Sequence, residues 1–152
     1  MNRKVIYLIM NIIGFLALLG STVFLLVSWS HIPDQIPTHY NFAGVADGYG
    51  GKGSLIFMMV LAWFMFILIT VLMRFPNTWN MPVKVTADNK ARLYSITKAM
   101  LEVVKMLTSL LFAVMLINAA IATPMPRFIL IALIAAMLLS IIMGIFMMYK
   151  NR

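Results

Sequence analysis

Long apolar runs alternate with shorter polar stretches along the whole chain. A helix needs roughly 20 apolar residues to cross about 30 Å of hydrocarbon. Four runs are long enough, and they cover approximately residues 5–27, 54–73, 99–122 and 127–149. Because open strand edges and bare loops cannot face lipid, each run is predicted to be a helix. The pattern therefore predicts an all-α integral membrane protein, with a four-transmembrane-helix bundle as a single membrane domain over residues 1–152.

The composition supports lipid as the main solvent of this chain. Apolar residues make up 63% of it and charged residues only 11%, whereas a soluble domain is about half apolar and a quarter charged. The absence of cysteine excludes disulfides, thiolate metal sites and a cysteine nucleophile. Nucleic acid is not an expected partner, because the basic residues lie at the ends of apolar runs and not on one folded face.

The basic residues also predict how the chain is oriented. Counted on alternate sides of the four runs, one side has only Lys52 and Arg127. The other side has ten basic residues: Arg3, Lys4, Arg74, Lys84, Lys90, Arg92, Lys98, Lys105, Lys150 and Arg152. The positive-inside rule places these ten in the cytoplasm. We therefore expect cytoplasmic N and C termini, an outer loop at residues 29–53 and an inner segment at residues 74–98, with the first run as an uncleaved anchor.

Small residues indicate where helices approach one another closely. The fourth run has a stripe of them at Ala132, Ala136, Ser140 and Gly144. The first run offers a counterface of Gly14, Ala17, Gly20 and Ser21. These stripes predict packing between the first and fourth helices, and the alternative is a homo-oligomer formed through the same surface.

Three polar side chains fall within the third run. Glu102 and Lys105 are spaced to pair on one helix face, near the inner boundary, where we expect them to snorkel to the interface. An ionisable pair deep in the span would be a candidate functional site. Asn118 is predicted to donate or accept a hydrogen bond between helices near the outer end. Thr86 is a candidate N-cap for a helix over Ala87–Ala122.

The outer loop holds most of the side chains that carry chemistry. A connection between antiparallel helices needs only a few residues, and this one has about 25 and is rich in Pro and Gly. It is predicted to form an ordered outer loop, a cap over the bundle between helices 1 and 2. The candidate ligand-binding residues are His31, Asp34, His39, Asn41, Asp47, Tyr49 and Lys52.

The same loop raises the alternative of a metal site. Imidazole and carboxylate groups suit a divalent metal such as zinc, which His31, Asp34, His39 and Asp47 would ligate. Their spacing matches no established ligand motif, and a hydrogen-bonded structural role without any cofactor is the competing interpretation. Since no nucleophile elbow or phosphate-binding loop occurs either, the sequence favours a binding protein over an enzyme.

Three stretches of the chain resemble a known family. Residues 32–44 and 47–52, together with residues 80–86 followed by Asn89 and Arg92, are similar to the signature of a bacterial membrane domain family of unknown function. That domain also forms the N-terminal part of SdpI-type toxin-immunity proteins. The similarity covers about residues 5–120, and Met81 stands where the family has an aromatic residue. It implies a bacterial plasma-membrane protein with an extracytoplasmic loop, and it carries over no catalytic residues.

The resemblance also frames the functional hypotheses. SdpI-type proteins protect their producer from a secreted membrane-active peptide toxin and hold a repressor at the membrane, and they have further transmembrane helices beyond this domain. We expect an outer loop that binds an extracellular peptide or envelope component and gives toxin immunity or signalling, with a cytoplasmic regulator as a second partner. The alternatives are a metal-dependent membrane enzyme and a transporter component.

Overall fold

A computed structural model describes residues 2–152. Its elements in chain order are α1 (Arg3–Ser28), β1 (Gln35–Tyr40), β2 (Ala46–Gly51), α2 (Gly53–Leu72), a 3-10 helix (Pro76–Thr78), α3 (Lys90–Ala120) and α4 (Arg127–Lys150). Four helices in the described chain are long and apolar enough to cross a membrane. The four predicted helices are therefore confirmed, and their apolar surfaces are consistent with a lipid bilayer around them.

Helix α3 is the centre of the bundle, and each of the other three helices packs against it. The prediction that the first and fourth helices pack together through small residues is wrong. Gly14 of α1 lies against Ser109 of α3, and Gly144 of α4 lies against Met100 of α3. Ala132, at the start of the α4 stripe, is exposed. Small residues permit close approach by any neighbouring helix, so the stripes did not identify the partner.

The loop between α1 and α2 corrects the all-α prediction. Strands β1 and β2 form a two-stranded antiparallel sheet, which with its turn we call the hairpin (residues 35–51). The loop therefore contains regular secondary structure, and β2 ends two residues before α2 begins.

The hairpin belongs to the hydrophobic core of the bundle. An isolated two-stranded hairpin is at best marginally stable in water, so this one needs support. Ile32 and Ile36 are buried against Leu25 of α1, Leu55 of α2 and Leu116 of α3. The hairpin therefore closes one end of the bundle, which we call the hairpin end.

The tip of the hairpin is fastened to the connection between α3 and α4. The backbone N–H of Met125 donates to the carbonyl oxygen of Gly44 at 2.9 Å. Gly44 has φ +79°, and a Cβ atom there would lie 2.6 Å from the carbonyl oxygen of Met125. Only glycine satisfies both the positive φ and the close approach.

The opposite end of the bundle carries both described termini and the segment between α2 and α3. Trp79 donates from Nε1 to the carbonyl oxygen of Leu72 at 2.8 Å. Thr86 and Asn89 exchange hydrogen bonds between side chain and backbone. This reciprocal pair precedes α3, but the predicted N-cap is wrong, because the N-cap of α3 is Asn89 and the helix begins at Lys90 and not at Ala87.

Gly44→Ala is expected to destabilise the protein, because Ala at positive φ costs about 1–2 kcal/mol and its methyl group displaces Met125. The matched control is Gly51→Ala, since a Cβ atom at Gly51 has no neighbour within 4 Å. Thermal unfolding in detergent measures both variants. Equal unfolding temperatures would contradict the docking of the hairpin tip.

Candidate functional site

A histidine–aspartate pair spans the two strands of the hairpin. Nδ1 of His39 lies 2.5 Å from Oδ1 of Asp47, and both side chains are largely exposed. Gly48 faces His39, and a Cβ atom at Gly48 would lie 2.9 Å from that of His39. The pair therefore links the strands where their register is irregular.

A second polar contact holds the base of the hairpin. Nζ of Lys52 lies 2.9 Å from Oδ1 of Asp34 and donates to the carbonyl oxygen of Ile32 at 3.3 Å. The same ammonium lies 5.6 Å from the ring centroid of Trp29, within cation–π range. Lys52 thus connects both ends of the loop, and its side chain is only 24% exposed.

Asn41 forms the turn between the strands. Its Oδ1 accepts from the backbone N–H groups of Ala43 and Val45, at 2.9 and 3.1 Å. This is the local hydrogen bonding by which Asn favours turns. Asn41 therefore has a structural role, and its acceptor oxygen is already occupied.

The predicted four-residue metal site does not form in the described structure. His39 pairs with Asp47, Asp34 with Lys52, and Nδ1 of His31 lies 3.2 Å from Oγ of Ser30. Among residues 2–152, no three His, Cys, Asp or Glu side chains lie close enough to hold a metal ion. The four residues are divided among three contacts because His31 lies four residues before β1, whereas His39 lies near the far end of this strand.

The exposed surface of the hairpin is aromatic and apolar. Phe42 is fully exposed, and Val45 and Tyr49 are more than half exposed. Phe42 and Val45 belong to the turn. Tyr49 lies in β2 and shares its exposed face with Asp47. Sequence reasoning singled out Tyr49 but missed Phe42 and Val45. The available signal for their exposure was their position next to the turn residues Asn41 and Gly44.

Tyr40 lies beneath this surface. Its hydroxyl group is buried and has no hydrogen-bond partner among the described residues. Burial, with a further contribution from Tyr49, raises the pKa of the Tyr40 phenol above its ordinary value. The group therefore remains protonated and offers an unused hydroxyl under the hairpin surface.

A polar cluster lies inside the bundle, near its opposite end. Nζ of Lys105 donates to Oδ1 of Asn11 (2.5 Å), Oγ1 of Thr70 (3.3 Å) and Oε2 of Glu102 (3.2 Å). Asn11 also donates from Nδ2 to Oε2 of Glu102 at 2.8 Å. An ammonium group has three N–H donors, so Lys105 is fully satisfied. It joins α3 to both α1 and α2.

The cluster corrects the expectation that Glu102 and Lys105 snorkel to the interface. The two residues are only 4% and 1% exposed, and neither side chain reaches the surface. The position of the pair along the membrane normal stays a prediction, while Thr70, which Lys105 contacts, lies two residues before the end of α2. Sequence reasoning missed the partners of Glu102 and Lys105 on the other helices. Asn11 was the available signal, because it is the one strongly polar residue in the first apolar run.

Asn118 does not bond between helices. Its Nδ2 donates to the carbonyl oxygen of Val114 in the same helix at 2.9 Å, and its Oδ1 accepts from the hydroxyl of Thr123 at 3.1 Å. Asn118 therefore completes the end of α3 and orders the connection to α4. The predicted interhelical role is wrong, because the amide group bonds within α3 and to Thr123 in the connection that follows it.

One part of this chain, which contains the hairpin, is similar to a known protein family. Residues 16–63 match the family model described as Domain of unknown function (DUF1648). This segment runs from the middle of α1 through the hairpin to the middle of α2. No curated protein and no solved structure matches the chain. The match supports the resemblance to a domain family of unknown function over the hairpin, and the similar segment at residues 80–86 lies outside it.

Removing one partner of the buried pair is expected to be costly. Glu102→Leu leaves the Lys105 ammonium without its counter-charge, and breaking a buried pair in this way costs about 3–5 kcal/mol. The double variant Glu102→Leu/Lys105→Met removes both charges, so it should cost clearly less than the sum of the single variants. Unfolding by SDS in mixed micelles measures the free energies.

Lys84→Met is the matched control for this cycle. Lys84 is an exposed lysine in the segment before α3, so its replacement should change the free energy of unfolding by less than about 0.5 kcal/mol. Additive effects of the two cluster substitutions would show that Glu102 and Lys105 do not stabilise one another.

Proposed function

We propose that this protein is a bacterial plasma-membrane binding protein whose hairpin lies on the outer face and binds an extracellular peptide or envelope component. Binding would give immunity to a membrane-active peptide toxin or would signal its presence, as the resemblance to SdpI-type proteins implies. The observation that carries the proposal is the hairpin itself, a hydrogen-bonded sheet and turn that presents Phe42, Val45 and Tyr49 outside the helices.

The contacts within the hairpin favour recognition over catalysis. Asp34, Asn41 and Lys52 hold the backbone in place, which leaves the surface preorganised. A preorganised surface avoids the entropic cost of ordering a loop on binding. Aromatic side chains are among the residue types enriched at protein interfaces.

The backbone of the hairpin offers a second way of binding a peptide. The sheet has only two strands in the described chain, so each strand has one edge that no described strand pairs with. An extended peptide adds to such an edge by main-chain hydrogen bonds. Phe42 and Tyr49 would then supply the side-chain contacts that distinguish one peptide from another.

The orientation rests on the distribution of charge. Ten of the twelve basic residues lie on one side of the predicted spans, and the hairpin lies on the other. The positive-inside rule then puts the hairpin outside the cell, where a secreted peptide or an envelope component first meets the protein.

Cysteine labelling tests this orientation directly, because the chain contains no cysteine. Phe42→Cys on the hairpin should react in intact cells with a thiol reagent that does not cross membranes. Lys84→Cys, an exposed position at the opposite end, should react only after the cells are permeabilised. The reverse pattern would place the hairpin in the cytoplasm.

A challenge assay tests the binding function. A strain that lacks the gene should become more sensitive to at least one peptide in a panel of membrane-active peptides, and the wild-type gene should restore resistance. Phe42→Ala/Tyr49→Ala should restore it poorly, with about tenfold or greater loss if these side chains are interface hot spots.

Phe128→Ala is the matched control, because Phe128 is an exposed aromatic residue of α4 near the same end of the bundle. It should restore resistance as well as the wild type. If Phe128→Ala failed as badly as the hairpin variant at equal membrane abundance, general loss of aromatic surface, and not the hairpin, would explain the defect. Unchanged sensitivity of the deletion strain to every peptide would argue against immunity.

A further inference from the structure

The arrangement of helices leaves a groove on the side of the bundle. Because α1 and α4 both pack on α3 and not on one another, a strip of α3 lies bare between them near the opposite end. The groove encloses about 450 Å³, within the range of about 300–1,000 Å³ found for ligand pockets. Its lining is almost entirely apolar and includes Ile6, Met10, Ala99, Met100, Met143 and Met147.

A fixed cation stands at the mouth of this groove. Nη1 of Arg3 donates to Oγ of Ser95 at 2.7 Å, and both residues line the groove. Lys98 adds a second cation, since its Nζ lies 5.7 Å from the ring of Tyr7, which also lines the groove. Among residues 2–152, Arg3 forms no salt bridge with a carboxylate.

The dimensions and chemistry fit one class of molecule. Arg3 and Met10 are seven residues apart on α1, so the groove extends about 10 Å along the helix at 1.5 Å per residue. A guanidinium has five N–H donors, and Arg binds phosphate through two of them at once. We propose that this groove binds an anionic phospholipid, with an acyl chain along α3 and the headgroup phosphate on Arg3.

Charge argues against a second copy of the chain in the groove. Two copies related by a twofold axis along the membrane normal would bring Arg3 and Lys98 of each copy to the same end. Like charges would then face one another, whereas an anionic headgroup neutralises them. Basic pockets between transmembrane helices are known to bind such headgroups. This inference is independent of the ligand proposed for the hairpin.

Native mass spectrometry with added lipid tests the proposal. Purified protein is titrated with dioleoyl phosphatidylglycerol or with dioleoyl phosphatidylcholine. The measured quantity is the fraction of protein that carries one bound lipid at each concentration. Wild-type protein should retain phosphatidylglycerol at least fivefold more tightly. Arg3→Gln should reduce this preference about fivefold, as expected when one basic side chain near anionic lipid is removed.

Lys4→Gln is the matched control, because it removes the same charge from the same helix end without lining the groove. It should leave the preference unchanged. Equal losses in Arg3→Gln and Lys4→Gln, or equal retention of the two lipids by the wild type, would overturn the proposal.

Filling the groove provides a second, independent variant. Ala99→Phe should abolish retention of the first phosphatidylglycerol, whereas Ala132→Phe, at an exposed alanine of α4, should not. If Ala99→Phe is misfolded by far-UV circular dichroism, Ala99→Leu replaces it. If the wild-type protein were a dimer and Ala99→Phe or Ala99→Leu dissociated it, the groove would bind a second copy of the chain. That result would also overturn the proposal.

Discussion

The ammonium group of Lys105 is the contact on which the arrangement of the helices depends. In hydrocarbon, an apolar helix face gains little by packing on another helix instead of on lipid, so apolar surfaces alone do not select one packing. A buried charge does select one, because it needs partners at defined positions. Lys105 finds them in Asn11, Thr70 and Glu102, and these fix the register of α1 and α2 on α3. We interpret the central position of α3 as a consequence.

The hairpin end uses a different interaction for the same purpose. Here Ile32 and Ile36 enter the space between α1, α2 and α3, while Lys52 closes the loop at its base through Asp34 and the carbonyl oxygen of Ile32. The tip then rests on Met125, beyond α3. Three of the four helices thus contribute to the support of the hairpin.

Properties that depend on composition were predictable from the sequence, and those that depend on pairing were not. The four helices follow from run length alone. The hairpin strands were missed because Pro37 interrupts β1 and Gly48, Gly50 and Gly51 weaken the signal of β2. Yet Gly48 and Gly50 are needed where His39 and Thr38 approach from the opposite strand, with Cβ positions 2.9 Å from those side chains. The residues that hide the strands from sequence analysis are thus the residues that let them pair.

The candidate site shows the same limit. The spacing of Glu102 and Lys105 predicts that they pair, but spacing within one helix says nothing about the helix that lies opposite, so their burial was missed. Likewise, a loop with two histidines and two aspartates resembles a metal site in composition, whereas the fold separates His39 and Asp47 from Asp34 and Lys52. Composition identifies which groups are available, and topology decides which of them meet.

This distinction also separates the polar cluster from the two proposed binding surfaces. The Lys105 ammonium has used its three donors within the protein, so we interpret the polar cluster as serving the fold. The hairpin surface and Arg3 differ in this respect, since Phe42 and Tyr49 are exposed and the Arg3 guanidinium has donors beyond its single bond to Ser95. Groups that folding leaves unsatisfied are the ones available for recognition. The two proposed binding surfaces therefore lie at different ends of the bundle, one on the hairpin and one beside Arg3.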